Sequence, residues 1–265
     1  MQFVGAVLAA PCLGGTLRCM KPLHWIEPGA PPESFPDPAT ALRDPDGLLA
    51  AGGDLSPARL LAAYRRGIFP WYNAGEPILW WCPDPRAVLY PGELHVSRSL
   101  ARTLRRDCFR YTLDQDFAGV IDGCAQAPRR GQPGTWITAD MRAAYLTLHR
   151  LGHAHSLEVW QNKTLVGGVY GVAVGRVFFG ESMFSRARDA SKAALVMLVR
   201  QLARWGFALL DCQVASPHLT SLGSRLIPRR DFLAALDDFC PQPGPAAWIL
   251  EPANGTPEAA HGLSG

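Results

Sequence analysis

Residues 163–184 read KTLVGGVYGVAVGRVFFGESMF. Branched and aromatic residues dominate the run and glycines break it, the composition of antiparallel strands laid side by side. In extended chain successive side chains alternate sides. The last strand of this run therefore places Glu181 and Met183 on one face and Ser182 on the other. Upstream, HSLEVW (155–160) reads as a further strand. Downstream, DASKAALVMLVRQLARWG (189–206) reads as a helix, with Leu195, Leu198, Val199 and Leu202 as its apolar stripe, Asp189 or Ser191 as cap and Gly206 as stop. LLDCQ (209–213) is the strand after that helix. A strand meander, one helix and a returning strand predict an α+β fold.

Toward the N-terminus, Ser56 before Pro57 is an N-cap followed by a first-turn proline. Gly67 ends that short helix, and Leu60, Leu61 and Tyr64 share its face. The proline-rich stretch 73–94 reads as short strands and turns. Helices are expected at 98–106, 139–151 and 229–239. In the first of these, Arg98, Arg102, Arg105 and Arg106 fall within an arc of roughly 100°, opposite Leu100 and Leu104. That basic stripe is either a solvated face or a seat for phosphates. The domain reading is a small N-terminal domain over 20–84, a larger domain over 85–240 and a disordered tail over 241–265. Residues 1–19 read as a mis-assigned start or an unstructured extension.

Composition narrows the chemistry. The net charge of +3, from 26 Lys and Arg against 23 Asp and Glu, gives no global pull toward nucleic acid, so any such argument is local. Seven cysteines without a C-x-x-C pair suggest neither a disulfide framework nor a zinc site, and point to a reducing cytoplasm. No apolar run reaches the ~20 residues of a membrane span.

Strand alternation sends Cys212 to the apolar side with Leu210 and Val214, where a free cysteine behaves as a small hydrophobe. Asp211 and Gln213 point the other way together. A second carboxylate, Glu181, lies in an equally apolar strand end. Two carboxylates at buried strand ends suggest a cleft for a cationic or amine ligand. Trp71, Tyr72, Trp80, Trp81, Trp136 and Tyr145 are core candidates, and flat rings beside such a cleft would also suit a nucleobase.

GLLAAGGDLSPARLLAAYRRGIFPW (47–71), ILWWCPDPRAVLYP (78–91), GTWIT (134–138), LGHAHSLEVW (151–160), LVGGVYGVAVG (165–175), GESMFSRARDASKAAL (180–195) and DCQVASPHLTSLG (211–223) together resemble the leucyl/phenylalanyl-tRNA–protein transferase family. The resemblance runs in order over residues 35–236. It implies a small N-terminal domain joined to an N-acetyltransferase-like (GNAT) domain. It also implies a cytoplasmic aminoacyltransferase that moves Leu, Phe or Met from tRNA to an N-terminal Arg or Lys of a protein, making an N-end rule degradation signal.

By motif, Asp211 and Gln213 would be the catalytic pair and Glu181 would meet the acceptor's amino groups. Trp71, Trp136, Tyr64, Tyr145 and Phe178 would surround the aminoacyl-adenosine, and the arginines at 98, 102, 105 and 106 would hold the tRNA. Val169, Phe178, Leu198, Leu202 and Leu210 are candidates for the apolar pocket. The donor ester is already activated, so neither cofactor nor metal is expected, and the chain is expected to act as a monomer. Cys82 where many relatives have Ser, and a longer loop at 127–134, are departures that leave these positions untouched. The rival reading, a coenzyme-A acyltransferase, would need a glycine-rich pyrophosphate loop, and SRARDAS (185–191) has no glycine. A non-catalytic RNA-binding module would leave Asp211, Gln213 and Glu181 without purpose.

Overall fold

The computed structural model describes residues 23–106, 108–127 and 136–251. The extension at 1–19 and most of the loop at 127–134 lie outside the described residues. Four short strands come first: β1 (His24–Ile26), β2 (Leu48–Gly52), β3 (Phe69–Pro70) and β4 (Leu79–Trp81), with α1 (Pro57–Arg65) between β2 and β3. Then follow β5 (Arg86–Leu89), α2 (Arg98–Arg105), β6 (Arg110–Leu113), α3 (Phe117–Gln126) and α4 (Ala139–Arg150). The chain continues through β7 (Ala154–Gln161), β8 (Thr164–Val174), β9 (Val177–Ser185), α5 (Ala190–Arg204) and β10 (Leu209–Gln213). It closes with α6 (Pro217–Thr220), β11 (Arg225–Ile227) and α7 (Arg229–Phe239).

The first four strands form a small sheet of order β1-β2-β4-β3, and the rest form a seven-stranded sheet of order β11-β5-β10-β9-β8-β7-β6. The fold is α+β, with a small N-terminal sheet beside a large mixed one. Helices cover both faces of the large sheet. One face packs on α1, α3, α4, α7 and the small sheet, through Tyr64, Val120, Met141, Tyr145 and Phe232. The other packs on α2 and α5, where Leu195, Leu198, Val199 and Leu202 are all buried. Each such side chain contributes about 1.5–3 kcal/mol relative to exposure.

Local signals explain most boundaries. Ser56 Oγ accepts from the Arg59 N–H, and Ser97 Oγ from that of Leu100, so α1 and α2 start at their caps. Asp189 stands before α5 but does not cap it; its carboxylate accepts from Thr103 Oγ1 at 3.2 Å and ties α5 to α2. The helix α3 is an addition to the sequence reading. Asp116, which accepts from the Gly119 N–H, was its available signal.

The disordered tail expected from residue 241 does not begin there. Trp248 stacks on His155 with ring centroids 3.4 Å apart and meets Trp205 at 4.8 Å, while the Glu251 N–H donates to Gln201 Oε1. An aromatic face with a matching docking site offsets the entropy that a Pro- and Gly-rich segment otherwise keeps.

The large sheet has one discontinuity. Strands β9 and β10 run parallel and pair only from Leu209↔Val177 to Asp211↔Phe179. Beyond that point β9 stays with β8 as far as Ser185, and β10 stays with β5. On the β8 side the register shifts between Tyr170 and Gly171, so an extra residue sits in β9 near Glu181. That shift overturns the expected shared face: Glu181 bonds to groups of the first core, whereas Met183 packs into the second. Glycine is needed at 171, because a Cβ there would run into the Phe179 carbonyl oxygen and the Phe178 ring. Gly171→Ala should therefore lower stability by about 1–3 kcal/mol. The check is the urea midpoint, and an unchanged midpoint would show that the shifted register tolerates a side chain.

Candidate active site

Where β9 and β10 part, a cavity of about 750 Å³ opens between the two sheets. Its two walls differ in chemistry. Phe69, Trp71, Trp81 and Trp136 form an aromatic wall, with Trp71 and Trp81 rings 5.7 Å apart and Trp81 Nε1 donating to the Trp71 carbonyl. Val169, Met183, Leu195 and Leu210 form an aliphatic wall on the α5 side of the sheet. Glu181, Asp211 and Gln213 lie on the lining of the same cavity.

The polar centre is built from two strand ends and two helices. Glu181 Oε1 accepts from the Tyr64 hydroxyl at 2.8 Å and from Gln213 Nε2 at 3.0 Å. Its other oxygen accepts from the Tyr145 hydroxyl at 2.7 Å. The two phenols are themselves 2.6 Å apart. Burial pushes the Glu181 carboxyl up to about 7, and the bonds from Tyr145 and Tyr64 pull against that rise. Burial, and then the neighbouring Glu181 charge, push both phenols well above the ordinary tyrosine value, so they remain donors.

Asp211 is fully buried and held by a two-pronged bond from Arg86, Nε to Oδ1 at 2.8 Å and Nη2 to Oδ2 at 2.6 Å. Its Oδ1 also accepts from the Gln213 backbone N–H at 2.9 Å. Asp211 and Gln213 are thus joined, although not through simple alternation. The pairing with β5 shifts between them, and Gln213 has a left-handed φ of 62°. Cys212 packs with Leu210 against α5, and burial raises its thiol.

The other predicted residues divide by position. Trp71 and Trp136 line the cavity. Tyr64 and Tyr145 stand behind Glu181, fully buried, and reach the cavity through that carboxylate. Phe178 lies in the α5-side core, off the cavity lining and 6.2 Å from the Trp248 ring. Of the apolar candidates, Val169 and Leu210 are on the lining, while Leu198 and Leu202 lie in the core. Arg98, Arg102, Arg105 and Arg106 are all exposed on α2 and its C-terminal cap. Among the described residues no carboxylate pairs with them.

The sequence reading missed Arg86. Its signal was a lone guanidinium inside the strand-like run RAVLY, which burial obliges to find a carboxylate. Among the described residues no group of three His, Cys, Asp or Glu side chains could hold a metal, and no helix is long and apolar enough to cross a membrane.

Known proteins are similar to this chain in sequence. Residues 88–237 match the model of the leucyl/phenylalanyl-tRNA protein transferase family, and residues 53–84 match the model of that family's N-terminal domain. The leucyl/phenylalanyl-tRNA–protein transferase of Stutzerimonas stutzeri (strain A1501) is 60% identical over 215 residues, 81% of this chain and 95% of the relative. That of Methylococcus capsulatus (strain ATCC 33009 / NCIMB 11132 / Bath) is 54% identical over 233 residues, 88% of this chain and 99% of the relative. Among solved structures, a GCN5-related N-acetyltransferase from Kribbella flavida is similar at 12% identity, over 65% of this chain and 61% of that one, with a TM-score of 0.35. Trp71, Glu181, Asp211 and Gln213 all fall inside the two matched stretches, and identity extends over nearly the whole of each relative: the chain belongs to the leucyl/phenylalanyl-tRNA–protein transferase family of aminoacyltransferases.

Proposed function

We propose that this chain transfers Leu, Phe or Met from aminoacyl-tRNA to the N-terminal Arg or Lys of acceptor proteins in the cytoplasm, creating an N-end rule degradation signal. The supporting observation is the single cavity in which a carboxylate and an amide lie between an aromatic and an aliphatic wall. The aromatic wall of Trp71, Trp81 and Trp136 suits the terminal adenine, which stacks on flat rings. The aliphatic wall suits an apolar side chain. A methylene there is worth only about 1–3 kcal/mol, so Leu and Met are separated weakly.

The chemistry follows from the polar centre. The acceptor's amine attacks the ester carbonyl, a C–N bond forms, and the C–O bond to the ribose breaks. Glu181, with its carboxyl pushed up to about 7, is matched to accept the proton that the amine gives up, and the released ribose oxygen takes one. Gln213 touches Glu181 and is tied through its backbone to Asp211, so its amide orients the nucleophile. Proximity of ester and amine supplies the larger part of the acceleration. The exposed arginines of α2 and its cap hold the tRNA by its phosphates.

Three outcomes are expected. First, labelled Leu should pass from Leu-tRNA to a peptide beginning with Arg, while acetyl-CoA with the same peptide gives no product; the reverse result would favour the acyltransferase reading. Second, Glu181 accepts a proton only when ionised, so activity falls as pH drops through about 7. The free acceptor amine, of pKa about 7.7–8.0, is lost over a neighbouring range. Below pH 7 the logarithm of kcat/KM should therefore rise with a slope of about two per pH unit, reduced to about one in a much slower Glu181→Gln variant. Equal slopes would remove Glu181 from proton transfer. Third, Arg98→Ala with Arg102→Ala should weaken tRNA binding and lower the slope of log affinity against log salt by about 1.4–1.8. An unchanged slope would return the stripe to a solvated face.

A further inference from the structure

We propose that Arg86 is a positioning residue for the transfer step: its guanidinium fixes Asp211, and Asp211 in turn sets Gln213 against Glu181. The proposal rests on the transferase reading above. Arg86 opens β5, the antiparallel neighbour of β10, and both it and Asp211 are fully removed from water. The guanidinium is clamped in place. Its central carbon lies 4.8 Å from the Phe69 ring centroid on the small-sheet side and 4.6 Å from that of Phe232 on α7. With Nε and Nη2 both committed to Asp211, the fork has one orientation.

A guanidinium does not lose its proton in proteins, and its two N–H groups engage both Asp211 oxygens as acceptors. The carboxylate that is free of this clamp is Glu181, and the two acids have separate tasks. Among the described residues Asp211 makes one further hydrogen bond, accepting from the Gln213 backbone N–H at 2.9 Å. That contact helps hold Gln213 at a φ of 62°, a conformation side-chain-bearing residues seldom adopt, and so aims Nε2 at Glu181.

The test is a double-mutant cycle on labelled-Leu transfer at saturating Leu-tRNA and Arg-peptide. Arg86→Lys keeps the charge but not the fork; Arg86→Met keeps neither. We expect kcat to fall roughly 10-fold in the first and roughly 100-fold in the second, with the KM for Leu-tRNA within about threefold of wild type. In a Gln213→Ala background the same changes should cost less than about twofold more, because Arg86 acts through Gln213. Losses that multiply in that background, or a raised KM with kcat unchanged, would overturn the assignment. Should Arg86→Met fail to fold, Asp211→Asn, which keeps the shape, takes its place in the cycle with the same criterion. Absence of transfer by the wild-type chain would instead defeat the transferase reading, so the two failures are separable.

Discussion

The molecule is organised around the point where β9 and β10 stop pairing, at Asp211↔Phe179. A buried backbone has to find partners, and each strand keeps one: β9 stays with β8 and β10 with β5. The opening is therefore lined by half-paired strands, and both carry irregular register beside it. Those irregularities turn Glu181 and Gln213 toward each other instead of along their strands. The cavity passes through the plane of the sheet, which is why its aromatic wall belongs to one core and its aliphatic wall to the other.

Two acids close together, Asp211 fully buried and Glu181 half-buried, are held in two different ways. Asp211 is neutralised by a guanidinium held between two rings. Among the described residues the hydrogen bonds to Glu181 come from neutral donors, and burial raises its carboxyl toward neutrality against the pull of those bonds and of Arg86. Tyr64 from α1 and Tyr145 from α4 supply part of that support, so helices far apart in sequence converge on one carboxylate.

Much of this was legible in the chain. The apolar stripe of α5, the Ser56 cap and the arginine arc each follow from short-range periodicity or capping, and such signals survive folding. The shared placement of Glu181, Asp211 and Gln213 was legible as polar residues in apolar strand ends. What was not legible depends on partners distant in sequence. The register shift opposite Gly171 moved Met183 to the other face from Glu181, and pairing register is a property of two strands at once. Arg86 lies 125 positions before Asp211, and the docking of Trp248 depends on His155 and Trp205. A composition that reads as tail gives no sign of a waiting aromatic site.

The bonds around Glu181 carry a consequence for the order of events. Its Oε1 already accepts from Tyr64 and Gln213, and its Oε2 from Tyr145. An arriving amine therefore meets a carboxylate that already accepts three bonds. Tyr64 and Tyr145 are walled in, whereas Gln213 stands at the edge of the opening, so its amide is the donor that yields. On the mechanism proposed above, the N–H of the acceptor would take the place that the Gln213 amide holds against Glu181. The Asp211 bond holds the Gln213 backbone, so that exchange would leave Gln213 in place with its side-chain amide beside the acceptor.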